Sequence, residues 1–229
     1  MKNMILALVI TMMVIAACAS NAYAIPALQL YIPGSEYIDG EDPYTWSSEN
    51  WYTPDSSFNI QVMAVEKFSS VTLVVAVPGG QEGGVIINGS SYASGQFGYG
   101  TPVMGIAKNG KPDYMPSHSI YDTSYLLYNL GPITVLDTPV YDEVARYYGE
   151  EGITPKPGAV IELDFSKTNF SMAHFDVFGT TEDGQIKFAP FGHDAEDGPV
   201  QHSQTPEPVT MALFGLGLAG VAGLKIKKS

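Results

Sequence analysis

Short segments of alternating apolar and polar residues, separated by glycine and proline, constrain this chain more than any other feature. Phe58, Ile60, Val62 and Ala64 alternate with Asn59 and Gln61, the period of a strand that buries one face. Residues 70–77 form a continuous run rich in β-branched residues, as expected of a central strand, with Lys67-Phe68-Ser69 as the turn before it. Residues 85–87 lead into Asn88-Gly89, the strongest short hairpin signal. Residues 121–130 are aromatic-rich, and Val160, Leu163 and Phe165 alternate imperfectly with Glu162 and Asp164. Ala173, Phe175 and Val177 alternate with His174 and Asp176, and Glu182-Asp183-Gly184 then turns into residues 186–191. Residues 140–148 suit one short helix. The pattern predicts an all-β chain, a β-sandwich of jelly-roll-like or immunoglobulin-like topology over residues 25–191. Residues 34–54 and 95–116 read as loops. Residues 192–205, polar and acidic, read as a flexible linker.

The two ends have a different composition. Lys2 precedes an apolar run over residues 4–17, and Ala22-Tyr23-Ala24 follows as an A-x-A cleavage pattern. Residues 1–24 therefore read as a signal peptide cut after Ala24, with Ala22 and Ala24 as the small residues of the cleavage site. Ile15-Ala16-Ala17-Cys18 resembles a lipoprotein box, a rival in which Cys18 is lipidated. At the other end, Pro206-Glu207-Pro208 precedes residues 209–224, which carry no charge and have Thr210 as their one polar side chain. As a transmembrane helix that starts close to Pro208, 16 residues rise about 24 Å, short of the hydrocarbon thickness of about 30 Å. Lys225, Lys227 and Lys228 would hold its end in the cytoplasm and leave the domain outside.

This tail resembles the PEP-CTERM sorting signal, whose three parts are a Pro-Glu-Pro motif, an apolar helix and a short basic end. All three stand here in order, as residues 206–229. The resemblance implies a Gram-negative bacterium and an exosortase-type membrane protease that processes the chain near Pro206, Glu207 and Pro208. It also implies an inner-membrane intermediate before the cell surface or matrix is reached, and association with exopolysaccharide and biofilm. The middle resembles the choice-of-anchor N proteins. That likeness rests on Ala27-Leu28-Gln29-Leu30, Tyr99-Gly100-Thr101-Pro102, Pro116-Ser117-His118 and Phe188-Ala189-Pro190-Phe191-Gly192-His193-Asp194. It implies surface location and no particular chemistry.

Charge and composition narrow the chemistry further. Between residues 25 and 208 there are 24 Asp and Glu against seven Lys and Arg, a net of −17. Such a surface repels nucleic acid and suits divalent cations. Cys18, the only cysteine, lies in the signal, so a chain cut after Ala24 has neither a disulfide nor a thiolate metal site. No H-E-x-x-H, G-x-S-x-G or P-loop pattern occurs.

Some residues remain candidates for binding. His193, Asp194, Glu196 and Asp197 cluster on one acidic turn, and Asp39-Gly40-Glu41-Asp42 forms a second. Clustered carboxylates suit calcium, although neither turn has EF-hand spacing and a solvated acidic turn is the default reading of both. Trp46 and Trp51, with Tyr44 and Tyr52, would stack on sugar rings if exposed, or pack over a sheet edge if not. His174 reads as a half-buried or surface strand residue, and His118 as a loop residue bonded to backbone. Asp142, Glu143, Glu150 and Glu151 read as solvated charge rather than as opposed glycosidase carboxylates. The expectation is a non-catalytic surface or matrix protein that needs no cofactor. A carbohydrate- or calcium-binding module is the first alternative, and a polysaccharide-modifying enzyme the second.

Overall fold

The structure is a computed structural model that describes residues 25–39, 49–107, 109–116, 120–190 and 192–198. Its strands in chain order are β1 (Leu28–Tyr31), β2 (Glu36–Asp39), β3 (Glu49–Thr53), β4 (Ser57–Ala64), β5 (Phe68–Val77), β6 (Gly84–Ile87), β7 (Ser90–Ala93) and β8 (Gly98–Gly100). They continue as β9 (Val103–Ile106), β10 (Pro112–Tyr114), β11 (Thr123–Ile133), β12 (Thr138–Val140), β13 (Lys156–Thr168), β14 (Ala173–Thr181), β15 (Ile186–Phe188) and β16 (Ala195–Asp197). Among the described residues one α-helix, α1 (Glu143–Tyr147), falls inside the segment expected to be helical, and the Asp142 carboxylate caps it by accepting from Ala145 N at 3.0 Å.

The strands form two large sheets. The smaller has the order β1-β4-β13-β6-β7, with β12 beside β13; the larger has β2-β3-β16-β14-β5-β11-β8, with β15 beside β14. A separate hairpin joins β9 and β10. Ile60, Val62, Leu163 and Phe165 of the smaller sheet share one buried cluster with Leu73, Val75, Phe175 and Val177 of the larger. Phe165 and Phe175 meet edge to face with centroids 4.7 Å apart. The described residues thus form a predominantly β sandwich. Each such side chain withdrawn from water contributes about 1.5–3 kcal/mol. The expected hairpin is present: Asn88 and Gly89, at φ 48° and 77°, join β6 to β7.

Several expectations are corrected. Phe68 is no turn residue but opens β5 with 2% exposure, so the bend falls on Val65–Lys67 instead. The expected loops at 34–54 and 95–116 contain β2, β3, β8, β9 and β10. Most consequential is the expected linker. Residues 192–198 belong to the domain, and β16 lies inside the larger sheet, parallel to β3 and antiparallel to β14. Asp194, Glu196 and Asp197 are each no more than 1% exposed there. Acidic residues enter a sheet interior when each finds a partner, and His174 and Lys167 supply them.

No helix among the described residues is long and apolar enough to cross a membrane, and the helix expected at residues 209–224 lies outside them.

Candidate functional site

Strand periodicity builds a polar patch on the face of the larger sheet that points away from the sandwich core. In register, Trp51, Ala195, Phe175 and Val75 lie side by side and face the core. The adjacent row, Tyr52, Glu196, His174 and Ala76, must face the opposite way. Positions two residues away share that outer face, which adds Asn50, Asp194 and Asp176. Three neighbouring strands thus each present two polar side chains on one face.

This face is nevertheless closed to water. His174 is 0% exposed, Asp176 2%, and Asp194 and Glu196 1% each. The chain before β11 covers it. Tyr121 Oη donates to Asp176 Oδ2 at 2.6 Å, and Met115 packs with Val74 and Phe178 beside the patch. Burial raises the Tyr121 phenol far above its usual range, and the neighbouring Asp176 carboxylate raises it further, so the tyrosine stays a donor.

The imidazole is the hub. His174 Nε2 lies 3.2 Å from Asp194 Oδ2 and 3.5 Å from Asp176 Oδ2, while Nδ1 lies 3.3 Å from Glu196 Oε2. Asn50 Nδ2 also donates to Glu196 Oε2, at 3.3 Å. Burial alone would lower the His174 pKa, but the surrounding Asp176, Asp194 and Glu196 outweigh it and raise it well above the ordinary value. The His174 nitrogen and one oxygen each from Asp176 and Asp194 all lie within 4.8 Å of one another, close enough to ligate one cation. A sealed group of this kind can bind an ion or fix the sheet; it offers no open floor to a large substrate.

The residues expected to form an acidic turn are separated by the fold. Asp194 and Glu196 join His174 on the outer face. Asp197 points the other way, where Lys167 Nζ approaches to 2.7 Å and Ala173 N donates to it at 2.6 Å. His193 lies elsewhere, with Nε2 3.3 Å from Asp142 Oδ1 and its carbonyl accepting from Leu30 N. The four do not converge on one ion. His174, expected half-buried or at the surface, is instead the most enclosed titratable group of the patch. Trp51 is 2% exposed and packed edge-on against Tyr31, Tyr37 and Tyr147, so it cannot stack on a sugar. Asp39 ends β2 and accepts from Tyr148 Oη at 3.2 Å. Trp46, His118, Gly40–Asp42, Ala22, Ala24 and Pro206–Pro208 lie outside the described residues.

Residues 204–228 match the PEP-CTERM protein-sorting motif. The match contains Pro206, Glu207, Pro208, the apolar stretch and the lysines. It marks an exported chain directed to an exosortase, a membrane protease, and sorted toward the cell surface through a membrane-anchored intermediate. No curated protein and no solved structure matches the chain.

Proposed function

We propose that the protein is a non-catalytic component of the cell surface or extracellular matrix, released from its inner-membrane intermediate by exosortase-type cleavage near Pro206-Glu207-Pro208. The observation that carries this is the sorting motif at 204–228, which begins only a few residues after β16. In sequence, a folded body thus ends only a few residues before the processing signal. Support for a non-catalytic role comes from the missing catalytic motifs and from the burial of His174, Asp176, Asp194 and Glu196, which closes that titratable group to a substrate. We assign the body to the choice-of-anchor N kind on the four segments quoted above.

Association with exopolysaccharide is the second part of this reading, and with Trp51 buried it rests on other residues. An open hollow of about 280 Å³ is lined by Glu36, Tyr37, Ile38, Asp39, Tyr147 and Tyr148. Tyr147 is 46% exposed and Tyr148 50%. Exposed tyrosines beside carboxylates offer sugars an apolar face and hydrogen-bond acceptors together.

The sorting reading is tested by transplantation. Residues 204–229 are fused behind an unrelated exported domain. The fusion should be cut and displayed in a host with the sorting protease, and should remain uncut in the inner membrane of a host without it. Identical fate in both hosts would remove the reading.

A further inference from the structure

We infer that His174 Nε2, Asp176 and Asp194 bind one divalent transition-metal ion of the zinc class, and that this ion clamps the last strand of the domain to the sheet.

The donor set selects the metal. Calcium and magnesium take oxygen ligands, whereas an imidazole nitrogen with two carboxylates suits zinc and its neighbours. The spacing agrees. In a tetrahedral zinc site with bonds near 2.0–2.2 Å, adjacent donor atoms stand about 3.4 Å apart. His174 Nε2 stands 3.2 Å from Asp194 Oδ2 and 3.5 Å from Asp176 Oδ2. A charge-assisted N–H···O bond prefers about 2.7–2.9 Å, and both separations lie nearer the edge length of a coordination tetrahedron.

The surroundings match what a ligating histidine requires. Its other nitrogen, Nδ1, faces Glu196 Oε2 at 3.3 Å. A proton held there leaves Nε2 with a lone pair for the metal, the carboxylate–histidine–metal arrangement. Asn50 donates to the same Glu196 oxygen, and Tyr121 Oη orients Asp176. Each supporting group therefore comes from a different strand or loop than the ligand it positions.

The placement gives the ion a structural consequence. His174 and Asp176 belong to β14, while Asp194 directly precedes β16, a strand of three residues. So short a strand has few ladder hydrogen bonds, and one ion shared between the two segments would fix it. The residues after β16 lead into the sorting motif, so the ion would secure the root of the tail. The inference does not depend on the proposed function: the site either binds metal or does not, wherever the protein resides.

The test uses the full chain purified in mild detergent and stripped with chelator. Zinc is titrated calorimetrically, bound metal is counted by elemental analysis, and cobalt is substituted to read the visible bands of a low-symmetry site. The expected result is one equivalent of zinc, a higher melting temperature on loading, and no equivalent response to calcium. Asp194→Asn and His174→Gln should abolish the stoichiometric binding. Glu196→Gln, which leaves all three ligands in place, should weaken it by about 10–100-fold. Absence of zinc binding by the folded wild-type chain would overturn the inference. So would one equivalent retained by Asp194→Asn and His174→Gln, because the ion would then lie elsewhere. The wild-type result decides even if a variant fails to fold.

Discussion

Replacing Lys167 by methionine isolates the ion pair that holds β16 from the core side. Lys167 Nζ lies 2.7 Å from Asp197 Oδ1 and donates to Ser171 O at 3.1 Å, and the two side chains are 6% and 0% exposed. Methionine fills most of the volume but leaves Asp197 with the Ala173 N–H as its hydrogen-bond donor among the described residues. Removing one partner of a buried pair costs about 3–5 kcal/mol, because the other charge stays buried. For a domain of this size that is a fall in Tm of roughly 6–20 °C. Burial raises the Asp197 pKa from 3.8 to about 6, Lys167 and the Ala173 N–H offset part of that rise, and Glu196 adds to it. A carboxyl whose folded pKa exceeds its unfolded value binds its proton more tightly when folded. Its contribution to stability is therefore fullest below pH 3.8 and is lost as pH rises through 6. Without the lysine the folded pKa climbs further, so Lys167→Met should be strongly destabilising at pH 8 and mild at pH 5. Denaturant melts at the two pH values read this directly, and adding Asp197→Leu should restore most of the loss at pH 8. A loss below about 1 kcal/mol at pH 8, against the 3–5 kcal/mol expected, would refute the reasoning. An equal loss at both pH values would do the same.

Other outcomes follow from local packing. Gly179→Ala would place a Cβ 2.6 Å from Phe68 Cδ1 and 2.9 Å from Ser70 O, so it should destabilise by about 1–3 kcal/mol in the same melts. Asp142→Ala removes the cap of α1 and should cost about 1 kcal/mol, while Asp142→Asn should cost much less. Tyr148→Ala should weaken retention on an exopolysaccharide affinity column without changing Tm by more than a few degrees, whereas Trp51→Ala should cost about 3–5 kcal/mol through lost packing. Intact mass of the exported form should place its N-terminus at Ile25, whose side chain already packs with Met63 and Val140; a lipidated Cys18 would contradict this.

The sandwich was legible because its longest strands carry their period openly. Phe58 to Ala64 and Ala173 to Val177 alternate as one-faced strands do, and Asn88-Gly89 marks its own hairpin. β2 and β3 were hidden by their setting, since Glu36–Asp39 is short and stands between glycines, and Glu49–Thr53 reads as a polar and aromatic loop. β16 was hidden by its chemistry. Its single apolar residue is Ala195, and acidic side chains read as solvated until their partners are known. The patch needed both facts at once. His174 and Asp176 show in sequence as the polar phase of β14, but a polar phase normally faces water. Only the pairing of β14 with β16, and the cover supplied from Met115 and Tyr121, brings Asp194 and Glu196 against them and seals the group. Nothing in the sequence around Gly192–Gly198 announces that register.

The central claim is that the tail is a processing signal. It is tested most directly by the mass of the full-length protein recovered from cells that carry the sorting protease. Wild-type protein at the surface should lack the residues after the Pro206-Glu207-Pro208 region. Glu207→Ala removes the one charged side chain between Thr205 and Leu224, and should leave the chain uncut and held in the inner membrane. A Glu207→Ala protein of the same shortened mass at the surface would contradict the account and leave the tail as a membrane anchor alone.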